Sequence, residues 1–153
     1  MTDIEKLILH NLIKNDTYSR KVTPFIKREY FHDRALRFVY ETIHDFIIKY
    51  NNLPTKEALY IILDKNKSIT QEEMKRVSNI VEEISNNQEA CDVEWLLNET
   101  ESFCKEKAVY NAIMESIQII DGKSQQSQGS IPDILSKALA ISFDAHIGHD
   151  YIE

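Results

Sequence analysis

The sequence has few of the residues that form turns, and this limits the fold. Its 153 residues include only three glycines and three prolines, too few for many strands joined by tight turns. No apolar stretch approaches the roughly 20 residues needed to cross a bilayer, and the acidic first residues lack the apolar run of a signal peptide. The two cysteines, Cys91 and Cys104, lack metal-site spacing and form no disulfide framework. These absences favour a reduced, cytoplasmic, all-α protein without a membrane partner.

Apolar residues instead recur at helical spacing, which predicts a small helical bundle over residues 1–88. Capping patterns mark several helix starts: they are Thr2 with Glu5, Asp33, Thr55, and Thr70 with Glu73. Pro24 interrupts one apolar pattern and predicts a kink, or a second short helix with Pro24 in its first turn. After Thr55, the spacing predicts that Ile62 points inward with its apolar neighbours.

The longest periodic run predicts a helical hairpin over residues 92–143. Its first helix begins at Asp92 and ends at Asp121-Gly122, and is long enough that part of it is expected to project. A polar loop over residues 123–130 precedes a second helix, with Ser130 as its cap and Pro132 in its first turn. Residues 144–153 lose the periodicity and are expected to begin a linker.

A two-helix hairpin cannot bury all of its apolar surface, so the hairpin is expected to pack against another copy or a partner. The residues assigned to this self-association are Phe103, Tyr110, Ile113, Ile117, Ile120, Ile134, Leu135 and Leu139.

The charge is unevenly distributed. The formal net charge is −7, yet the segment from Tyr18 to Arg37 is locally basic. Its cations are Arg20, Lys21, Lys27, Arg28, Arg34 and Arg37. We call these six residues the basic stretch. It is a candidate surface for DNA or an acidic partner, although a solvated helix face is the simpler interpretation.

No motif indicates catalysis, a cofactor or a metal. Gly122-Lys123-Ser124 resembles the end of a phosphate-binding loop, but Ile117 occupies the position of the required first glycine and a helix precedes the loop. His146, His149 and Asp150 are close in sequence without a helix to make them converge. The chain is therefore predicted to be non-enzymatic.

Short motifs in a consistent order resemble the N-terminal domain of DnaB-type replicative DNA helicases, as found in T-even-like phages. They are Glu29-Tyr30-Phe31, Leu53-Pro54-Thr55, Trp95-Leu96, Glu99-Thr100-Glu101, Asn111-Ala112, Ile131-Pro132-Asp133-Ile134, Ala138 to Asp144, and Gly148-His149-Asp150.

The resemblance implies a helical bundle and hairpin whose copies pair into a collar on a hexameric ring. It also implies a following ATPase domain that uses ATP and Mg²⁺ to move the ring along single-stranded DNA, with a primase and a loader as partners. Because the sequence ends at Glu153 before any such domain, we expect it to be an isolated domain, located in the host cytoplasm if a phage encodes it. A primase-type helicase-binding adaptor and a stand-alone phage adaptor are the alternatives.

Overall fold

A computed structural model describes residues 3–87 and 91–143. Within these ranges the chain forms seven α-helices and no β-strand, which confirms the predicted all-α class. The helices are α1 Asp3–Lys14, α2 Asp16–Val22, α3 Arg34–Tyr50, α4 Lys56–Asp64, α5 Gln71–Asn86, α6 Val93–Ile120 and α7 Ile131–Leu139. None of the helices in these ranges is long and apolar enough to cross a membrane. The predicted cap Thr2 and the tail over residues 144–153, with its histidines, lie outside the described residues.

The chain divides into two compact units, Met1–Leu97 and Asn98–Glu153. The division falls within α6, so the first turn of that helix belongs to the first unit. The bundle over residues 1–88 therefore lies within the first unit. The predicted hairpin from residue 92 has its first residues in the first unit and the rest in the second unit.

The core of the first unit is formed where α3 and α1 pack on α5, with α4 against α3 and α5. Its largest wholly buried side chains are Ile8, Leu9, Leu12, Tyr18, Val22, Phe31, Leu36, Ile43, Leu59, Leu63, Ile84 and Leu96. Burial of such side chains supplies the main driving force for folding.

Side-chain caps begin the helices as the sequence predicts. Asp33 accepts hydrogen bonds from the first amides of α3, and Thr55 accepts one from the amide of Ala58 at 3.1 Å. Thr70 and Glu73 form the complete capping box at α5. These bonds satisfy amide groups that have no partner within the helix.

The predicted role of Pro24 is wrong. Pro24 lies in the turn that follows α2 and its C-cap Thr23, and the next element is a short 3-10 turn at Arg28–Tyr30. Proline lacks the amide hydrogen needed to continue α2. The amides of Phe25 and Ile26 instead both donate to the carbonyl of Val22, which closes the turn.

Two further predictions are corrected. The hydroxyl of Ser130 does not cap α7, because it donates to the carbonyl of Ser127 at 2.6 Å within a 3-10 turn that leads directly into the helix. Pro132 does occupy the first turn of α7. Ile62 is not inward: it is exposed, whereas the unpredicted Ile80 of α5 is buried.

Candidate self-association surface

The second unit is a helical hairpin in which the chain returns along α6. The side-chain amide of Gln126 donates to the carboxylate of Glu115 at 2.7 Å, and further along the backbone amide of Phe143 donates to Glu101 at 2.9 Å. Later residues thus contact progressively earlier positions of α6, which is the pattern of an antiparallel hairpin.

A tight C-terminal cap ends α6 before this return. Gly122 has a left-handed backbone, with φ of 75°. Its amide donates to the carbonyl of Ile119, and the amide of Lys123 donates to that of Gln118. This pair of bonds is the Schellman arrangement, which favours glycine because other residues are strained at positive φ.

One face of α6 is buried and carries mostly small side chains, namely Cys104, Ala112, Ser116 and Ile119. The hydroxyl of Ser116 donates to the carbonyl of Ala112 at 2.8 Å, so this polar group is satisfied within its own helix. Ala138 of α7 is also buried.

A second face of α6 is apolar but exposed. It consists of Tyr110, Ile113, Met114, Ile117 and Ile120, which are between 41% and 60% exposed. We call these five residues the apolar stripe. Their spacing of three and four residues aligns them along one side of the helix. Apolar side chains in a continuous row of this kind mark a surface for packing with another protein.

The eight residues predicted for self-association occupy three environments. Tyr110, Ile113, Ile117 and Ile120 belong to the apolar stripe, and Leu139 of α7 is 61% exposed. Ile134 and Leu135 are half-buried, and Phe103 is buried. The sequence prediction omitted Met114, although its position four residues after Tyr110 and three before Ile117 is a helical-spacing signal for the stripe.

All four arginines of the basic stretch have partners within the chain. Arg20 pairs with Asp16 at 2.9 Å and also donates to the side chain of Asn51 at 2.9 Å. Arg28 pairs with Glu41 at 2.8 Å.

The remaining members of the basic stretch differ in their contacts. Arg34 pairs with Glu73 at 2.5 Å. Arg37 donates to the carbonyl oxygen of Phe31 at 3.0 Å. Lys21 and Lys27 are exposed and form no ion pair within residues 3–87 and 91–143. They are the cations of this stretch most available to an outside anion.

The described residues contain no cluster of metal ligands, and the thiol of Cys104 is not reactive. No group of three or more histidine, cysteine or acidic side chains in these ranges is arranged to hold a metal ion. Cys104 is buried, and burial followed by the charge of Glu101 raises the pKa of its thiol to about 12, so it is not a nucleophile at neutral pH.

Gly122-Lys123-Ser124 does not fit a phosphate cradle. It follows the C-terminal end of α6, where backbone carbonyls rather than amides are exposed. The amides of Gly122 and Lys123 are already bonded to helix carbonyls. We therefore assign no nucleotide-binding role to these residues.

The structure thus defines an all-α protein of a bundle unit and a hairpin unit, with an exposed apolar stripe as its most prominent candidate surface. The chain is similar to a DnaB-like replicative helicase from Enterobacteria phage T4. The two are 31% identical over 157 aligned residues, which cover 97% of this chain and 32% of the phage T4 protein. This similarity confirms the predicted resemblance to the N-terminal domain of DnaB-type replicative helicases. No family model matches the chain.

Proposed function

We propose that this chain is the N-terminal assembly domain of a phage replicative DNA helicase, and that its hairpin joins it to a second copy. The observation that carries the proposal is the apolar stripe of α6, an exposed apolar row on a chain that is similar over nearly its whole length to a replicative helicase. Burial of the stripe against the same stripe on another copy would remove this apolar surface from water, at about 25 cal/mol per Å².

In this proposal the chain does not unwind DNA by itself. The chain spans about a third of the length of the phage T4 relative. A further domain would supply ATP hydrolysis with Mg²⁺ and would draw single-stranded DNA through a hexameric ring. The role of the described residues is to hold subunits together and to present surfaces to a primase and a loader.

The helicase part of the proposal is tested by the gene itself. Sequencing beyond the codon for Glu153 should show a continuing frame with a G-x-x-x-x-G-K-[ST] loop after a predicted strand, as ATP binding requires. A stop codon directly after Glu153 would contradict the helicase assignment and favour a stand-alone adaptor.

The partner part is tested by equilibrium binding of the purified chain to the primase and loader encoded with it. We expect saturable binding of at least one of them at micromolar concentration or below. Absence of binding to both, by a chain that is folded by circular dichroism, would remove the docking role without affecting self-association.

Direct contact with DNA or an acidic partner is a second candidate function, favoured by Lys21 and Lys27, which are exposed and form no ion pair with the residues that the structure describes. Charge reversal of both lysines should remove most of any salt-dependent affinity for a single-stranded oligonucleotide, because that affinity rests on neutralising phosphates. Lys65→Glu with Lys67→Glu, two exposed lysines beyond α4, is the matched control. Undetectable binding by the unmodified chain would exclude the DNA surface.

A further inference from the structure

A charged residue borders the exposed apolar face of α6 at its N-terminal end. Glu106, Tyr110, Ile113, Ile117 and Ile120 are exposed and follow one another at intervals of four and three residues. We call these five positions the seam. Alternating intervals of four and three are the spacing of core positions in paired helices. Glu106 is therefore a seam position occupied by a carboxylate.

A seam carboxylate has consequences when two helices pair. A buried charge without a counter-charge is costly, so pairing favours the alignment that gives Glu106 a cation. A single polar residue at a core position is known to fix register and orientation in this way. Glu106 forms no ion pair within the part of the chain that the structure describes.

Two-fold pairing of antiparallel seams identifies the facing residue. The alignment that matches apolar residues throughout places Ile113 opposite Ile117 of the second copy and Tyr110 opposite its Ile120. In each of these two pairs the residue numbers sum to the same value, 230. In this alignment α6 of the second copy ends at Ile120, opposite Tyr110, so Glu106 lies about one turn beyond that end, beside the C-terminal cap that carries the exposed Lys123 of the second copy.

Two other alignments are electrostatically worse. Parallel pairing would place Glu106 against Glu106 and Lys123 against Lys123, and like charges directly opposite each other repel. An antiparallel shift that puts Glu106 opposite Ile120 would place the carboxylate on an apolar side chain.

Of the other lysines of the hairpin, Lys107 and Lys137 already have contacts within their own copy, and Lys105 lies off the seam. Lys137 pairs with Asp133 of its own helix at 3.2 Å, and the ammonium of Lys107 lies 5.8 Å from the ring centroid of Phe103. Lys123, just past the left-handed Gly122, has no ion pair within the described ranges.

We propose, on the basis of the self-association proposed above, that Glu106 of each copy pairs with Lys123 of the other, and that these two reciprocal ion pairs fix the antiparallel register of the seam. The occupant of the exposed face is thus a second copy of this chain. Lys123 of that second copy, just past the end of its α6, supplies the cation that the seam of the first copy lacks.

Charge reversal tests this pair. Sedimentation equilibrium of the full chain should show that Glu106→Lys and Lys123→Glu each weaken self-association roughly tenfold, because each change places like charges together at two symmetric positions. The double variant Glu106→Lys with Lys123→Glu should restore the affinity to within about threefold of the original, since the pairs re-form with reversed sign.

Lys105→Glu is the matched control. Lys105 is exposed and adjacent to Glu106, but about 100° around the helix from it, so its reversal should leave the affinity within about twofold of the original. The ion pair is contradicted if both single variants self-associate with the original affinity, or if the double variant does not recover that affinity. Either result would leave self-association itself intact. A chain that stays monomeric without any substitution would overturn the pair and the proposed assembly role together.

Discussion

Asp33 uses both of its carboxylate oxygens to hold the guanidinium of Arg76, with nitrogen–oxygen distances of 3.0 and 2.8 Å, while it also caps α3. One side chain thereby connects the start of α3 to the middle of α5. The hydrogen bond from Arg76, and then those from the amides of Leu36 and Ala35, hold the pKa of Asp33 below its usual value of 3.8. The two helices that pack together in the core are thus also joined at the surface.

Arg76→Gln should lower the free energy of unfolding by about 0.5–1 kcal/mol at neutral pH, since the pair is largely exposed. A carboxylate with a lowered pKa stabilises the fold above its unfolded pKa, and this stability is lost as the pH falls through the folded pKa. The difference between Arg76→Gln and the original chain should therefore shrink below pH 3.8. Urea unfolding across this range, with Lys75→Gln as a control on the same helix, measures it. A difference that does not depend on pH would contradict the ion pair.

His10 satisfies the end of a neighbouring helix. Its Nδ1 lies 2.6 Å from the carbonyl oxygen of Ile84, in the last turn of α5, and the contact is buried. Carbonyls in the last turn have no partner within their helix. His10→Phe keeps a ring but removes the donor, and should cost about 1–3 kcal/mol of unfolding free energy.

Thermal or urea unfolding of His10→Phe checks this cost. The matched control is His44→Phe, at a half-buried position on α3, which should change stability by less. Equal effects of the two substitutions would show that the bond to Ile84 contributes nothing specific.

The two cysteines should differ in reactivity. Cys104 is buried and its thiol has a pKa raised to about 12, whereas Cys91 is partly exposed. Iodoacetamide at neutral pH should therefore alkylate Cys91 first, because the thiolate is the reacting species. Mass spectrometry of the peptides identifies the labelled residue, and guanidinium should make both react. Labelling of Cys104 at the rate of Cys91 in the native chain would contradict its burial.

Leu139 tests whether α7 contributes to the self-association surface. Its side chain is 61% exposed, so Leu139→Asp should leave the helical circular dichroism nearly unchanged. The same change should weaken self-association by several kcal/mol if the residue is buried between copies. Ser136→Asp, also exposed on α7, should have a smaller effect. If Leu139→Asp and the original chain self-associate with equal affinity, the self-association surface is restricted to α6.

The helix starts could be predicted because their causes are local. Asp33, Thr55 and Thr70 cap helices through residues two or three positions away, which the sequence displays directly. Ser130 does not cap α7 because it belongs to a 3-10 turn in which its hydroxyl donates to the carbonyl of Ser127, and that turn has no strong sequence signal. The prediction that Ile62 points inward is wrong because helical spacing does not show which side of a short helix faces the core.

The candidate surface was predictable only in part, for a similar reason. Both the buried and the exposed face of α6 repeat apolar residues at helical spacing, so periodicity alone cannot tell which of the two faces is buried. The small side chains Ala112 and Ser116 belong to the buried face, while Ile113 and Ile117 are left exposed. The engagement of Arg28 and Arg34 with Glu41 and Glu73 likewise depends on tertiary contacts.

Sedimentation equilibrium of the original chain beside Ile117→Asp tests the central claim most directly. Ile117 is exposed in the single chain, so the aspartate should not unfold it, and Gln118→Asp, the exposed neighbour outside the stripe, serves as the control. We expect the mass of the original chain and of Gln118→Asp to rise with concentration from 17.9 kDa towards twice that value, and that of Ile117→Asp to stay near the lower value. An original chain that remains at the monomer mass, or an Ile117→Asp variant that associates equally well, would contradict self-association through the hairpin.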